Sequence, residues 1–349
     1  MHPESRFFYI IYSSKSMSNR SIRHHYVSNF LCKNFSTNKK TFYRFEFATK
    51  KILKLSVRDG FVKNDLYTVL DKAGQKSDAL EKLLGEIEAP AAKAISTIIE
   101  RIGAGKDIED VIPYPMRLDI LNFCILSHSR TPKNIIRINL MTLRMMYAAS
   151  YLHLTAKKME YDASTFTLSI DPTTIMLNCI AAGVKIFPAC LDLTATIVFH
   201  ESTSKRFVLP DQPVVLEYTG RGEFTAHDLK ILFPVSSHIL MIFSRGESAE
   251  KILKIGDDEI DAYNTRLCAS YYGLLACESE DYLKYFSESF PVNPTHLPTN
   301  EEFEREKEVM KNEVIGLIKE SNGKPFELLL RSSKDGIEFY RAAEGDTES

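Results

Sequence analysis

A chain of 349 residues, 44% hydrophobic and 26% charged, has the composition of an ordinary folded protein, which excludes wholesale disorder and allows one large domain or two smaller ones. A formal net charge of -2 excludes a surface coated in basic residues for nonspecific nucleic-acid binding, but leaves a local basic groove open. The six cysteines, Cys32, Cys124, Cys179, Cys190, Cys268 and Cys277, stand far apart with no CxxC pair; they read as free apolar fillers in a reducing compartment.

Phe7 to Tyr12 is apolar but far shorter than the roughly 20 residues a spanning helix needs. Met17 offers an alternative start, and residues 1–22 are expected to lie outside the fold. No later run is long and uncharged enough to cross a bilayer, so a cytoplasmic protein without a membrane partner is the expectation.

Thr41 to Phe47 alternates aromatic and polar residues, and Lys50 to Val57 continues with β-formers, which predicts a hairpin. From Asn64 to Gly103 the period is helical, interrupted at Gln75-Lys76-Ser77 and restarted or kinked at Pro90. A further helix is predicted over Met116 to Ser127. Thr131-Pro132 then has the cap and first-turn proline that open a long helix towards Lys158.

The middle is β-rich. Leu191 to His200 and Arg206 to Leu209 resemble paired strands around a polar connection, and Pro213 to Tyr218 and His238 to Phe243 add two more, separated by a loop rich in glycine and charge. Asp257 to about Ser287 is helical again, then a proline-containing connector leads to a charged helix near Asn300 to Ser321. Phe326 to Arg331 and Gly336 to Arg341 are expected to form a terminal hairpin, and 344–349 a disordered tail. The order predicts an α+β fold, helices flanking a small, largely antiparallel sheet, with a main domain over 23–290 and a C-terminal helix and hairpin over 291–343.

Several polar residues stand where apolar ones would be easier. On a continuous helix from Asp257, Asn264 falls among Ile260, Leu267, Cys268, Tyr271 and Leu275, so its amide must be paired, as a structural clamp or to orient a site. Glu81 and Glu88, two helical turns apart, share one side and can bind a cation or be ordinary solvated carboxylates. Asp211 lies between Pro210 and Gln212-Pro213, either aimed by the prolines or making a turn. Arg130, at a helix junction, can clamp phosphate or satisfy a helix end. In the run Arg23-His24-His25-Tyr26-Val27-Ser28 the adjacent imidazoles cannot share a face, so one is expected to work while the other packs. No GxxxxGK[ST], HExxH, GxSxG or GxGxxG-after-strand signature is present in the sequence, which removes the P-loop, zincin, α/β-hydrolase and Rossmann readings.

His24-His25-Tyr26-Val27-Ser28, continuing through Asn29-Phe30-Leu31 to Asn34-Phe35-Ser36, resembles the DUF4238 family, whose members share an N-terminal His-Tyr-Val-Pro motif; Ser28 stands where the motif has proline. The resemblance extends to the Glu81–Glu88 helix, to Arg130-Thr131-Pro132, to Phe207–Pro213, where Leu209-Pro210 replaces Thr-Ser before Asp211, to Phe233-Pro234-Val235-Ser236 and to Asn264. It implies a site list rather than a reaction. Those residue types suit hydrolysis near phosphate, and the expectation is a metal-assisted nuclease or phosphodiesterase serving defence against foreign genetic elements. His25 is then base or metal ligand, Glu88 and Asp211 hold a divalent ion such as Mg²⁺ or Mn²⁺, Arg130 contacts phosphate and Asn264 orients the site. The partner is nucleic acid or a phosphorylated ligand. The alternative is a non-enzymatic binding or regulatory module whose polar residues form a structural network.

Overall fold

A computed structural model describes residues 22–64, 66–70, 76–77, 79–107, 111–156, 170, 172–220, 222–247, 249–290, 293–320, 328–333 and 336–341. The expected disordered tail, Phe326 and nearly all of the expected N-terminal extension lie outside these residues. The architecture is α+β, as the element order implies.

One sheet has five strands in the order β12-β7-β11-β10-β9, built from β7 (Thr194–Phe199), β9 (Val215–Glu217), β10 (Lys230–Ser236), β11 (Ile239–Ser244) and β12 (Lys251–Lys254). Its pairs are antiparallel except β12 on β7. The central strand β11 is buried at every position, as expected of a strand covered on both faces. A second sheet, β3-β2-β13-β8, combines the predicted hairpin of β2 (Thr41–Glu46) and β3 (Lys51–Ser56) with β13 (Leu274–Cys277) and β8 (Leu209–Pro210). Short pairs form between β1 (Arg23–His25) and β4 (Val62–Asn64), β5 (Val69–Leu70) and β6 (Lys76–Ser77), and β14 (Leu328–Ser333) and β15 (Gly336–Arg341).

Helix α1 (Asn29–Asn34) packs on β10. α2 (Ala79–Gly103) lies against α3 (Tyr114–Ser129), α3 against α5 (Pro172–Ile186), and α4 (Pro132–Ala156) against α5 and α8 (Asn300–Glu320). α3 and α5 meet closely at Gly183, where a Cβ would stand 2.8 Å from Leu126. Phe123 of α3 joins helices to sheet, its ring 5.2 Å from Phe30 and 5.7 Å from Phe233. These contacts sit in the main core, and each buried aromatic removes a large apolar area from water.

Four expectations change. The helix predicted from Asn64 begins only at Ala79, because Val69–Leu70 and Lys76–Ser77 pair as strands. Leu209–Pro210 pairs with β13 rather than β7, whose neighbours are β11 and β12. β10 lies where a loop was predicted; its Pro234 is tolerated because β9 pairs only with Lys230–Leu232 and a bulge follows on the β11 side. The helix predicted from Asp257 to Ser287 is two helices, α6 (Asp257–Leu267) and α7 (Glu280–Ser289), with β13 between. Gly273, at φ 126, makes the turn into β13 in a region that favours glycine.

Candidate functional site

The alternation of β1 divides the two histidines. His24 is fully buried: its Nδ1 accepts the Tyr67 backbone N–H at 2.7 Å and its ring stacks on Tyr67 at 5.6 Å. His25 faces the other way and is half-buried. A backbone hydrogen bond to Arg58 orients its ring, burial lowers its pKa below the usual histidine value, and Glu88 works in the opposite direction. Its Nε2 is buried and has no hydrogen-bond partner among the described residues. A neutral imidazole with one free nitrogen is what a proton acceptor near neutrality requires.

Glu88 projects from α2 towards α1 and the end of α3. Ser28 occupies the N-cap of α1 without making a side-chain cap; its hydroxyl donates instead to Glu88 Oε1 at 2.7 Å and accepts from Arg130 at 2.9 Å. Arg130, 2% exposed at the C-cap of α3, forms an ion pair with the same Glu88 oxygen at 2.5 Å, and its guanidinium lies 5.7 Å from the centre of the Tyr67 ring. Burial opposes the charge on Arg130, but Glu88, Tyr67 and Glu81 outweigh it and raise its pKa. Both glutamates therefore act on one arginine, as their spacing on α2 implies. The Ser28 hydroxyl that bridges the pair could not be supplied by the proline of the related motif.

Two expected site residues are elsewhere. Asp211 is 2% exposed and spends both carboxylate oxygens on backbone, accepting Tyr272 N–H at 2.7 Å and Leu274 N–H at 3.0 Å. It fixes β8 to the entry of β13, and burial raises its pKa to about 7 against the pull of those amides. Asn264 is fully buried, accepts Val208 N–H at 3.0 Å and donates to Arg206 O and to the Tyr282 hydroxyl, both at 2.8 Å. Tyr282 in turn donates to Asp261 at 2.7 Å, and Asp261 takes Lys205 at 2.7 Å. This is a clamp between α6, α7 and the 206–208 segment.

The expected set of metal ligands does not assemble: among the described residues no group of three or more His, Cys, Asp or Glu could hold an ion. His25 and Glu88 are electrostatically coupled, but no hydrogen bond or ion pair among the described residues joins Asp211 to either. Sequence reasoning passed over Tyr67, Asn29 and Arg58. Only Asn29 carried a signal, its place beside Ser28 at a helix start.

His25, Ser28, Glu88 and Arg130 converge from three separated stretches of the chain, and the segments that carry them fall within residues 23–270, which match the model of a family described as a protein of unknown function, DUF4238. The chain belongs to the DUF4238 family. No curated protein and no solved structure matches it significantly. The DUF4238 match ends at residue 270, so it includes Asn264 but not Tyr272 or Leu274, to which Asp211 is bonded. Among the described residues no helix is long and apolar enough to cross a membrane.

Proposed function

We propose that this DUF4238 protein hydrolyses phosphoester bonds as a nuclease or phosphodiesterase, acts in the cytoplasm, and serves defence against foreign genetic elements. The observation that carries the reaction is a set of buried polar atoms left without partners around the Glu88–Arg130 pair: His25 Nε2, Asn29 Oδ1, the Tyr67 hydroxyl and Arg130 Nε. Native interiors rarely leave such atoms unmatched, and those of His25, Tyr67 and Arg130, each acting on or belonging to the pair, suit a polar ligand. Arg130 and Tyr67 supply N–H and O–H donors for phosphate oxygens. Exposed Arg58, whose backbone is bonded to His25, adds positive charge nearby.

In the reaction His25 Nε2 takes a proton from the attacking water, whose oxygen forms the new bond to phosphorus. The ester P–O bond breaks, and the proton on His25 passes to the leaving oxygen. Glu88 stabilises the imidazolium formed in between, and Arg130 faces the charge that builds on the non-bridging oxygens. A resident divalent ion would find only His25 and Glu88 here, with Glu88 already engaged by Ser28 and Arg130. The residues do not complete such a site, so each step rests on side chains.

The test is turnover of bis(p-nitrophenyl) phosphate, single-stranded DNA and RNA by the full chain, with Mg²⁺, Mn²⁺ or chelator. The expected result is hydrolysis that persists in chelator, lowered about 100-fold or more by His25→Gln at unchanged melting temperature. No turnover of any substrate, or full activity in His25→Gln, overturns the reading. A second reading, a non-enzymatic structural module, is favoured by one fact: Ser28, Glu88 and Arg130 tie α1, α2 and α3 together. It predicts that His25→Gln lowers melting without any selective loss.

A further inference from the structure

A cavity of about 940 Å³ lies between α4 and α8, and none of His25, Glu88 or Arg130 lines it. That volume is in the range of small-molecule sites. Its polar back wall is already saturated. The Gln212 amide donates to Val214 O at 2.9 Å and meets His128 Nδ1 at 3.2 Å, while the Tyr272 hydroxyl donates to Gln212 Oε1 at 3.2 Å. His128 is half-buried and neutral, its pKa pushed down to about 4 by desolvation. These side chains meet one another's hydrogen bonds without a ligand.

Two of the charges around the cavity are cancelled in place, Arg137 by Glu223 and Arg144 by Glu313. Lys133 and Arg305 remain at the rim against Glu306, an excess of one positive charge. Between rim and wall the lining is apolar, with Leu140 and Met141 from α4, Leu216 from β9, and Val309 and Met310 from α8. Val309, 53% exposed, carries this apolar lining out to solvent.

We infer that this cavity binds a small amphiphilic anion, its apolar body between α4 and α8 and its single carboxylate or phosphate group at Lys133 and Arg305. Apolar burial supplies the affinity, and the two cations select the sign of the head group. The site is separate from the one proposed for hydrolysis, and its occupancy does not depend on that activity.

The probe is 1-anilinonaphthalene-8-sulfonate, titrated into the natively folded full chain. The expected result is saturable fluorescence enhancement with one site per chain, displaced by decanoate or decyl phosphate and not by decyltrimethylammonium. Whichever of the two anions displaces at lower concentration identifies the head group. Lys133→Glu combined with Arg305→Glu should weaken binding at least tenfold, and Leu140→Trp should block it by filling the cavity, both with melting unchanged. Absence of saturable binding to the folded chain, equal displacement by the cationic amphiphile, or wild-type affinity in both variants overturns the proposal.

Discussion

Asn264 and Arg130 are both deeply buried polar side chains drawn from the same family pattern, yet their surroundings differ in one respect. Around Asn264 and Asp211 the side-chain polar groups are bonded: amide to backbone and tyrosine, carboxylate to two N–H groups. Around Arg130 the ion pair with Glu88 is made, but Arg130 Nε, His25 Nε2 and the Tyr67 hydroxyl are left over. Burial of a polar residue does not by itself distinguish architecture from chemistry. Saturation does, because an architectural group completes its bonds on folding whereas a working group keeps one for its ligand.

The largest expected effect tests the saturated side. Asp211 in the folded chain ionises at about 7, far above the roughly 3.9 of an unfolded aspartate. Between these values the native state binds the extra proton, so its contribution is full below about pH 4, is lost as pH rises towards 7, and is flat above. The gap of about three pH units sets an upper bound of about 4 kcal/mol. Urea unfolding from pH 4 to 8 should show this fall in stability, and Asp211→Asn should remove it. An identical pH slope in both proteins would mean that the carboxylate is not held in the dry setting of β8 and β13.

Next is Asn264→Leu, which strips Val208 N–H, Arg206 O and the Tyr282 hydroxyl of their shared partner. The expected loss is about 3 kcal/mol, read by urea unfolding, with any hydrolytic activity of the folded fraction unchanged. Selective loss of activity would move Asn264 from the clamp to the site. Smaller again is Glu88→Gln, which keeps an acceptor for Ser28 and Arg130 but removes the counter-charge. Breaking a fully buried pair costs about 3–5 kcal/mol, and since the Glu88 side chain is 25% exposed, about 2 kcal/mol is expected in thermal unfolding.

The family's order of motifs led to the residues, and periodicity alone placed Glu81 and Glu88 on one side of α2. The β1 alternation that separates His24 from His25 was likewise legible from adjacency. The fate of Asp211 was not, because its partners Tyr272 and Leu274 lie in a stretch that reads as helix. The apolar spacing of Leu267, Tyr271 and Leu275 fits a helical face, but tertiary pairing of Leu275 with Phe45 and Pro210 overrides it. Tyr67 escaped notice for a related reason: its role depends on a backbone N–H given to His24 and a ring placed beneath Arg130, neither of which has a local pattern. Long-range partners decide which polar groups are saturated, and a single sequence does not display them.

The smallest effect probes the open side most finely. Asp59 is exposed, joined to Arg23 at 2.6 Å, and its charge raises the pKa of His25 while that of Arg23 lowers it. Asp59→Asn should therefore lower the His25 pKa further, visible in the pH titration of its imidazole NMR signals, with no measurable change in melting because exposed pairs contribute little. The acidic limb of any pH–rate profile should move the same way, since the base must be neutral to accept a proton. A shift in the NMR titration without a matching shift in the rate profile would leave His25 beside Glu88 but take the proton transfer away from it.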